Sequence, residues 1–400
     1  METIRLAVVG LGHRGRLMVK LAHDGFKNLK VVAACDCDPL LWTEKQHLID
    51  RPMKDVLPEA KFYTSYDQML EEMGHEIDMV LVETGADVHA EFCMKALKRD
   101  IHVFSDIPSV ATLKEAKELY EAEKASKAMV MTGANANETF YSNAMLDLYK
   151  RGMLGEMIYM EAEYIGGSMR SIPRSENPIL NHSPWRSVVP GIRYCTHSLG
   201  PLLRLMREVL RYTYCIGTNA HVEPDRPGDD VQSAFFQTES GVAIRLLRSG
   251  RCDGGLVSNF GHHSYRGWGT KGYFEMVGDR GPKNPMCFRF QSKELYCGQD
   301  LIEVPSKYMP NEYSHMEVAK VGHGGCDYAV LDKAFQTLWK DLDEFPITLK
   351  DGLVMTIPGI YAAKSAAQGG MKMTIRYPWE EGFDEDIVNV DSMPDIKCKK

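Results

Sequence analysis

The chain has 400 residues, 44% of them hydrophobic, 26% charged and 9% aromatic, a globular composition that excludes disorder and collagen-like fibres. At about 150 residues per domain it is long enough for two domains. Lys and Arg number 47 against 55 Asp and Glu, a net charge of −8, which argues against nucleic-acid binding because phosphate contacts need a basic surface.

Ten cysteines, with only Cys35 and Cys37 closely spaced, are too sparse for a disulfide scaffold and show no zinc spacing. A reducing compartment, the cytoplasm, fits that usage. No apolar run approaches the ~20 residues that span a bilayer, so no membrane partner is expected. The N-terminus enters a strand pattern at Ile4 without a signal-peptide core, although a leader removed beforehand would leave no mark.

The first third alternates short apolar runs with helical patterns, the rhythm of βαβ units. Strands are predicted at Ile4–Val9, Lys30–Cys35, Met79–Glu83, His102–Ser105 and Met129–Thr132, and helices at Gly15–Ala22, Ser65–Met73, Val88–Leu97 and Leu113–Ser126. A doubly wound parallel sheet follows. Beyond residue 133 a helix at Tyr141–Arg151 leads into a strand-rich region that begins at Met157–Tyr164. Val231–Glu239 and Val242–Arg248 flank Ser240 and Gly241, which predicts a hairpin with a two-residue loop. This second domain is expected to rest on an antiparallel sheet. A Pro/Ser/Asn-rich stretch separates Gly166 from Gly191, long enough to suggest a functional element. Apolar residues at Val330, Leu331, Phe335 and Leu338 make a packing stripe on a helix Tyr328–Trp339, and Leu353–Ala367 reads the same way.

Gly10-Leu11-Gly12-His13-Arg14-Gly15 matches G-x-G-x-x-G between a strand and a helix, and Asp36 follows at the end of the second strand. That spacing is the dinucleotide fingerprint: Gly10 for the tight turn, Gly12 for approach of the pyrophosphate, Gly15 for helix–strand packing, and Asp36 to accept from a ribose 2′-hydroxyl. A carboxylate there repels a 2′-phosphate, which favours NAD over NADP, with Arg14 as an opposing cue. Ligands of such sheets bind beyond the carboxyl ends of the strands. Thr84, Ala86 and His89 stand after one strand and Asp106, Ile107 and Pro108 after the next, and they are candidates for cofactor contact.

The Gly10–Gly15 turn, Asp36, the H-V-F-x-x-x-P of His102–Pro108 and Met153–Glu156 resemble the Gfo/Idh/MocA oxidoreductases. The resemblance implies an α/β Rossmann domain over 1–133 and an α+β domain with a large, mostly antiparallel open sheet over 134–400. Dehydrogenases of that family carry Glu-Lys-Pro where this chain has Asp106-Ile107-Pro108, and their Asp/His pair on a helix corresponds to Arg193 and His197 here. A narrower branch, the NAD-dependent glycosidases of glycoside hydrolase family 109, is more similar. Its Y-P-T-H-G-L-G-P resembles Tyr194–Pro201, its G-T-K-G resembles Gly269–Gly272, and its G-H-G-G-M-D-[FY] resembles Gly322–Tyr328. The resemblance runs over about residues 4 to 379. Its W-E-W-H is replaced by Ala86–His89 and its M-E-N-x-x-Y by Ala134–Glu138.

Carried over, the resemblance implies NAD contacts at Asp36, Ala86–His89, Asp106, Ile107 and Asn135, and substrate contacts at Tyr164, Arg186, Tyr194–His197 including Thr196, and Tyr265. It also implies a homo-oligomer, because open sheets in the family often pair. The expected partner is a small carbohydrate or glycoside.

An ordinary glycosidase needs two carboxylates across the scissile bond, and none stand out here. Transient oxidation at C3 of the sugar acidifies the C2 proton and allows elimination at C1, water addition and return of the hydride. That cycle needs two bases. His197 is the candidate for the C3 hydroxyl and Tyr164 for C2, with Tyr194 as an alternative. A phenol has an ordinary pKa near 10, so Tyr164 needs a neighbouring cation, from Arg193 or Arg186. His323 and Asp327 are candidates for substrate contact or proton handling. His262, His263, His315 and His323 have no regular ligand spacing, and no metal site is assigned. A plain sugar or cyclitol dehydrogenase, a 3-keto-glycoside lyase and a sugar- or dinucleotide-binding protein without turnover are the competing readings.

Overall fold

In the computed structural model the described residues are 2–45, 49–166, 189–222, 224, 228–252, 263–277, 287–292, 302–305, 317 and 323–386. Ile4–Val9 (β1), Leu29–Cys35 (β2), Lys61–Tyr63 (β3), Met79–Val82 (β4), His102–Ser105 (β5) and Val130–Thr132 (β6) form one sheet in the order β3-β2-β1-β4-β5-β6. Every pairing in it is parallel. Helices cover both faces of such sheets, so its central strands are continuous apolar runs; all four residues of β4 are buried. The first helix spans His13–Gly25, longer at both ends than its apolar pattern, and the next strand-linking helices are Tyr66–Met73, His89–Leu97 and Leu113–Ala125. Thr112 and Glu115 close the start of the last one as a capping box.

The chain divides into two compact units. The first holds residues 1–135 and, from far along the chain, 313–353, so the helix Cys326–Trp339 packs with the parallel sheet. Its Phe335 meets Phe26 edge-on and its Tyr328 stacks on Phe26 at 4.6 Å.

The second unit is built on Met157–Ile165 (β7), Leu210–Gly217 (β8), Gln232–Thr238 (β9), Ala243–Ser249 (β10), His263–Gly269 (β11), Gly272–Val277 (β12), Cys287–Ser292 (β13), Ile302–Pro305 (β14) and Met373–Thr374 (β15). They form a nine-stranded sheet in the order β14-β13-β12-β11-β7-β10-β9-β8-β15. It is antiparallel except where β10 runs parallel to β7. The β9–β10 hairpin departs from the two-residue loop expected. Thr238 and Val242 still bond, so Glu239, Ser240 and Gly241 form a three-residue loop. Gly241 has φ +96°, the left-handed residue that lets a turn of this length keep the twist of its strands.

Strand period two sends neighbouring residues of β7 to opposite faces. On one face Glu161 stands opposite both Arg245 and Arg266. Arg245 Nη2 lies 3.0 Å from Glu161 and 2.7 Å from Glu163, Arg266 Nε binds Glu161, and the Tyr159 hydroxyl donates to Glu161 at 2.6 Å. Burial opposes the charge on Glu161, but hydrogen bonds from Arg245, Tyr159 and Arg266 bring its pKa down to about 2. A depressed carboxylate contributes stability that is complete above its unfolded value and is lost as pH falls through the folded one. The resistance of the protein to thermal unfolding is therefore expected to weaken as pH falls from about 4.5 toward 2, with Glu161 supplying on the order of 2 kcal/mol after discounting for solvent. Arg245→Leu should flatten that pH dependence, and an unchanged slope between pH 5 and 3 would count against it.

Candidate active site

The carboxyl ends of β1 and β4 mark the switch point of the parallel sheet, where chain direction across the sheet reverses. Gly10 leaves β1 with φ +93°, and a Cβ there would lie 2.6 Å from the Glu83 carbonyl oxygen. At Gly15 a Cβ would lie 1.9 Å from the Gly10 carbonyl oxygen. Gly12 differs: an added Cβ would meet no atom within 4 Å. No side chain caps the helix that starts at His13, and a helix N-terminus is where a pyrophosphate is held.

Asp36 closes the turn from the next strand. One carboxylate oxygen accepts from the Leu11 amide at 2.6 Å and the other from the Asp38 amide at 2.9 Å. These residues fit a dinucleotide: a glycine turn with open space beside Gly12, a helix N-terminus with no side-chain cap and a carboxylate for the ribose. Arg14, which carries the charge that could have attracted a 2′-phosphate, is turned elsewhere. Its Nη1 lies 2.8 Å from Asp327, and its Nε lies 3.7 Å from Asp106 and 3.9 Å from Glu83. Asp36 is left to decide between NAD and NADP, and it favours NAD.

Asp327 joins the helix Cys326–Trp339 to that turn. Besides Arg14, its fully buried carboxylate contacts Asn135 Nδ2 at 2.7 Å and His323 Nδ1 at 2.9 Å. Burial pushes the Asp327 carboxyl up, but Arg14 and the His323 hydrogen bond hold it well below the usual carboxylate range. The same carboxylates outweigh burial at Arg14 and raise its pKa. His89 is spent on the loops after β4 and β5: its ring nitrogens lie 2.9 Å from the carbonyl oxygens of Thr84 and Pro108. Ala86, after β4, and Ile107, after β5, are buried apolar residues, and His13 is exposed at the helix start.

The second unit gathers a different set. Register aligns His263 of β11, Tyr164 of β7 and Arg248 of β10 directly across three neighbouring strands. The His263 ring centroid is 4.0 Å from that of Tyr164, and the Arg248 guanidinium carbon sits 4.0 Å over the Tyr164 ring. Arg248 Nη1 also donates to the Tyr164 carbonyl at 3.1 Å. The cation placed on Tyr164 is thus Arg248, which no local pattern singled out. Arg193 is buried in the short turn Gly191–Arg193, and Arg186 lies outside the described residues.

Tyr194 and His197 stand at the start of the helix Thr196–Met206. The Tyr194 hydroxyl is 3.1 Å from His197 Nε2. Both rings lie close to Tyr164, at 6.3 and 6.2 Å between centroids, and His263 is 5.6 Å from His197. Thr196 Oγ1 is buried without a hydrogen-bond partner among the described residues. Tyr265 is fully buried, stacks on Tyr141 and donates to the His197 carbonyl at 2.6 Å. It supports the backbone of His197 from below. Among the described residues no three His, Cys, Asp or Glu side chains gather as a metal site would need, and no helix is long and apolar enough to cross a membrane.

Residues 4–134 match the profile described as "Oxidoreductase family, NAD-binding Rossmann fold", the Gfo/Idh/MocA family. The chain carries a Gfo/Idh/MocA NAD-binding domain. A Glycosyl hydrolase family 109 protein of Porphyromonas gingivalis is 23% identical over 367 residues, covering 82% of this chain and 74% of its own. Among solved structures, a levoglucosan dehydrogenase in complex with NADH has a TM-score of 0.74 at 14% identity, covering 94% of this chain and 100% of its own. The myo-inositol 2-dehydrogenase of Lactobacillus plantarum has a TM-score of 0.69 at 17% identity, with the same coverage. At such identities the two structures establish the fold alone. The Gfo/Idh/MocA match agrees with the turn geometry, and NAD is the cofactor it binds.

Proposed function

We propose that the protein cleaves a glycoside through a transient 3-keto sugar, with cofactor binding in the first unit and proton transfer in the second. NAD, when bound, supplies a reversible hydride acceptor for the sugar C3. The observation that carries the reading is the hydrogen-bonded Tyr194–His197 pair with Tyr164 and His263 packed around it. These acid–base groups are phenols and imidazoles, the residues for moving protons on and off a hydroxyl and an acidified carbon. The Glycosyl hydrolase family 109 relatives support the same reading.

The Tyr194–His197 pair takes the C3 hydroxyl proton, since imidazole titrates near neutral pH. Tyr164 takes the C2 proton as a phenolate, whose negative charge before the transfer is attracted by Arg248 on its ring face. The C1–oxygen bond then breaks and the aglycone leaves with a proton. Water adds its oxygen at C1 and its proton at C2, and once the hydride and the hydroxyl proton have returned to C3 the net change is hydrolysis. Ile107, buried and apolar, has no proton to offer.

A panel of α- and β-nitrophenyl glycosides, each with and without added NAD, tests the reading. Aglycone release without accumulation of NADH is expected. NADH formed in step with substrate consumed would replace the reading with a net dehydrogenase, and a product lacking the added water would replace it with a lyase.

A further inference from the structure

Glu83 follows β4 and closes against both ends of the glycine turn: its carbonyl approaches Gly10 and its Cβ approaches Gly15. Its side chain is fully buried, and neither carboxyl oxygen has a hydrogen-bond partner among the described residues. The charged groups around it come from three directions. Arg14 lies on the helix after the turn, Asp106 on the loop after β5, and Asp327 on the helix Cys326–Trp339 with His323 hydrogen-bonded behind it.

One guanidinium therefore serves three carboxyl groups. If all three were ionised, two negative charges would be left uncompensated in a place shielded from water, which is costly for each ion. The proton goes to the carboxyl with the poorest solvation. Asp327 has Asn135, His323 and Arg14 as partners, and Asp106 keeps part of its side chain in contact with solvent. Glu83 has neither. Burial and the neighbouring Asp106 push its pKa well up, with Arg14 opposing only in part.

We propose that Glu83 holds a proton that NAD+ displaces on binding and NADH does not. A dinucleotide spans the two halves of a doubly wound sheet. Asp36 marks the adenosine half at β2, so the nicotinamide half is the one flanked by Glu83 and Asp106, after β4 and β5. The pyrophosphate is common to both redox forms and cancels in the comparison. They differ in one positive charge on the ring, and a positive charge brought near a buried carboxyl favours its ionisation. Affinity for NAD+ then rises with pH while affinity for NADH stays level, so the site selects the oxidised cofactor more strongly as the solution becomes more alkaline. This inference rests on NAD binding and is independent of the glycosidase reading.

Calorimetric titration of NAD+ and of NADH into the cofactor-free full chain, in phosphate and in Tris at the same pH, counts the protons released. NAD+ should release about one proton more than NADH, and the ratio of the two dissociation constants should move by up to about tenfold per pH unit in favour of NAD+. Glu83→Gln should abolish the difference. Equal proton counts in the wild type overturn the proposal, as does a folded Glu83→Gln protein that keeps the difference. Infrared difference spectra of the wild type need no variant: the carbonyl band of a protonated carboxyl should be lost on addition of NAD+ and kept on addition of NADH. A band unchanged by NAD+ also overturns the proposal.

Discussion

The Gly15→Ala protein is expected to lose NAD binding and part of its stability, and Gly12→Ala to lose the first alone. At Gly15 the new methyl would stand 1.9 Å from the Gly10 carbonyl oxygen and 3.1 Å from the Glu83 Cβ. Backbone cannot yield as a side-chain end can, so the helix His13–Gly25 must move away from β1. Overpacking of this kind costs about 1–3 kcal/mol, and each kcal/mol lowers the midpoint of a domain this large by ~2–4 °C. Displacing the helix also displaces the amides that face the pyrophosphate. A loss of at least about 100-fold in NAD affinity follows, equivalent to ~2.7 kcal/mol. At Gly12 nothing lies within 4 Å of the added methyl, so the fold has no reason to weaken while the space the pyrophosphate needs is taken. Thermal melting and fluorescence titration with NADH separate the two outcomes. Full NAD affinity in Gly12→Ala would mean that the open space beside that residue is not the cofactor's.

The second large effect concerns proton transfer. Tyr164→Phe removes one hydroxyl and leaves the ring that meets His263 and Arg248. His197→Ala removes the imidazole while the Tyr265 hydroxyl still holds the backbone carbonyl. A positioned acid or base contributes roughly 10²–10⁴-fold, so each variant should lose about that much in kcat with melting temperature and NAD affinity kept. Because the two residues act on different protons, Tyr164→Phe should in addition slow exchange of the C2 proton with deuterated water, while His197→Ala should slow formation of the 3-keto sugar. Retained turnover in both variants would remove these residues from the chemistry.

How much of this is readable from the chain depends on distance along it. The glycine turn and Asp36 sit within one βαβ unit, where spacing fixes geometry, and their part in the cradle follows from the pattern. Tyr164 ends a strand that is recognisable from its alternation, yet the cation on its ring comes from a strand 84 residues later. Arg193 and Arg186 are near the Tyr194–Pro201 segment in sequence, whereas Arg248 sits in an ordinary strand pattern and its side chain is fully buried. Tyr265 looked like a substrate contact by resemblance, and the fold buries it completely beneath His197. Glu83 left one trace, a carboxylate closing an otherwise apolar run, but that trace has no meaning until Asp106 and Asp327 are known to stand beside it.

The amino-acid order alone determined the parallel sheet, the cofactor turn with its acidic partner and the preference for NAD, because each depends on local periodicity or on spacings of a few tens of residues. Tertiary structure decided which charges meet: the return of residues 313–353 to the first unit sets Asp327 against Arg14, and strand register sets Arg248 and His263 on either side of Tyr164. Pairing of distant segments is specified by burial and register summed over whole sheets, and no short window of sequence carries that sum.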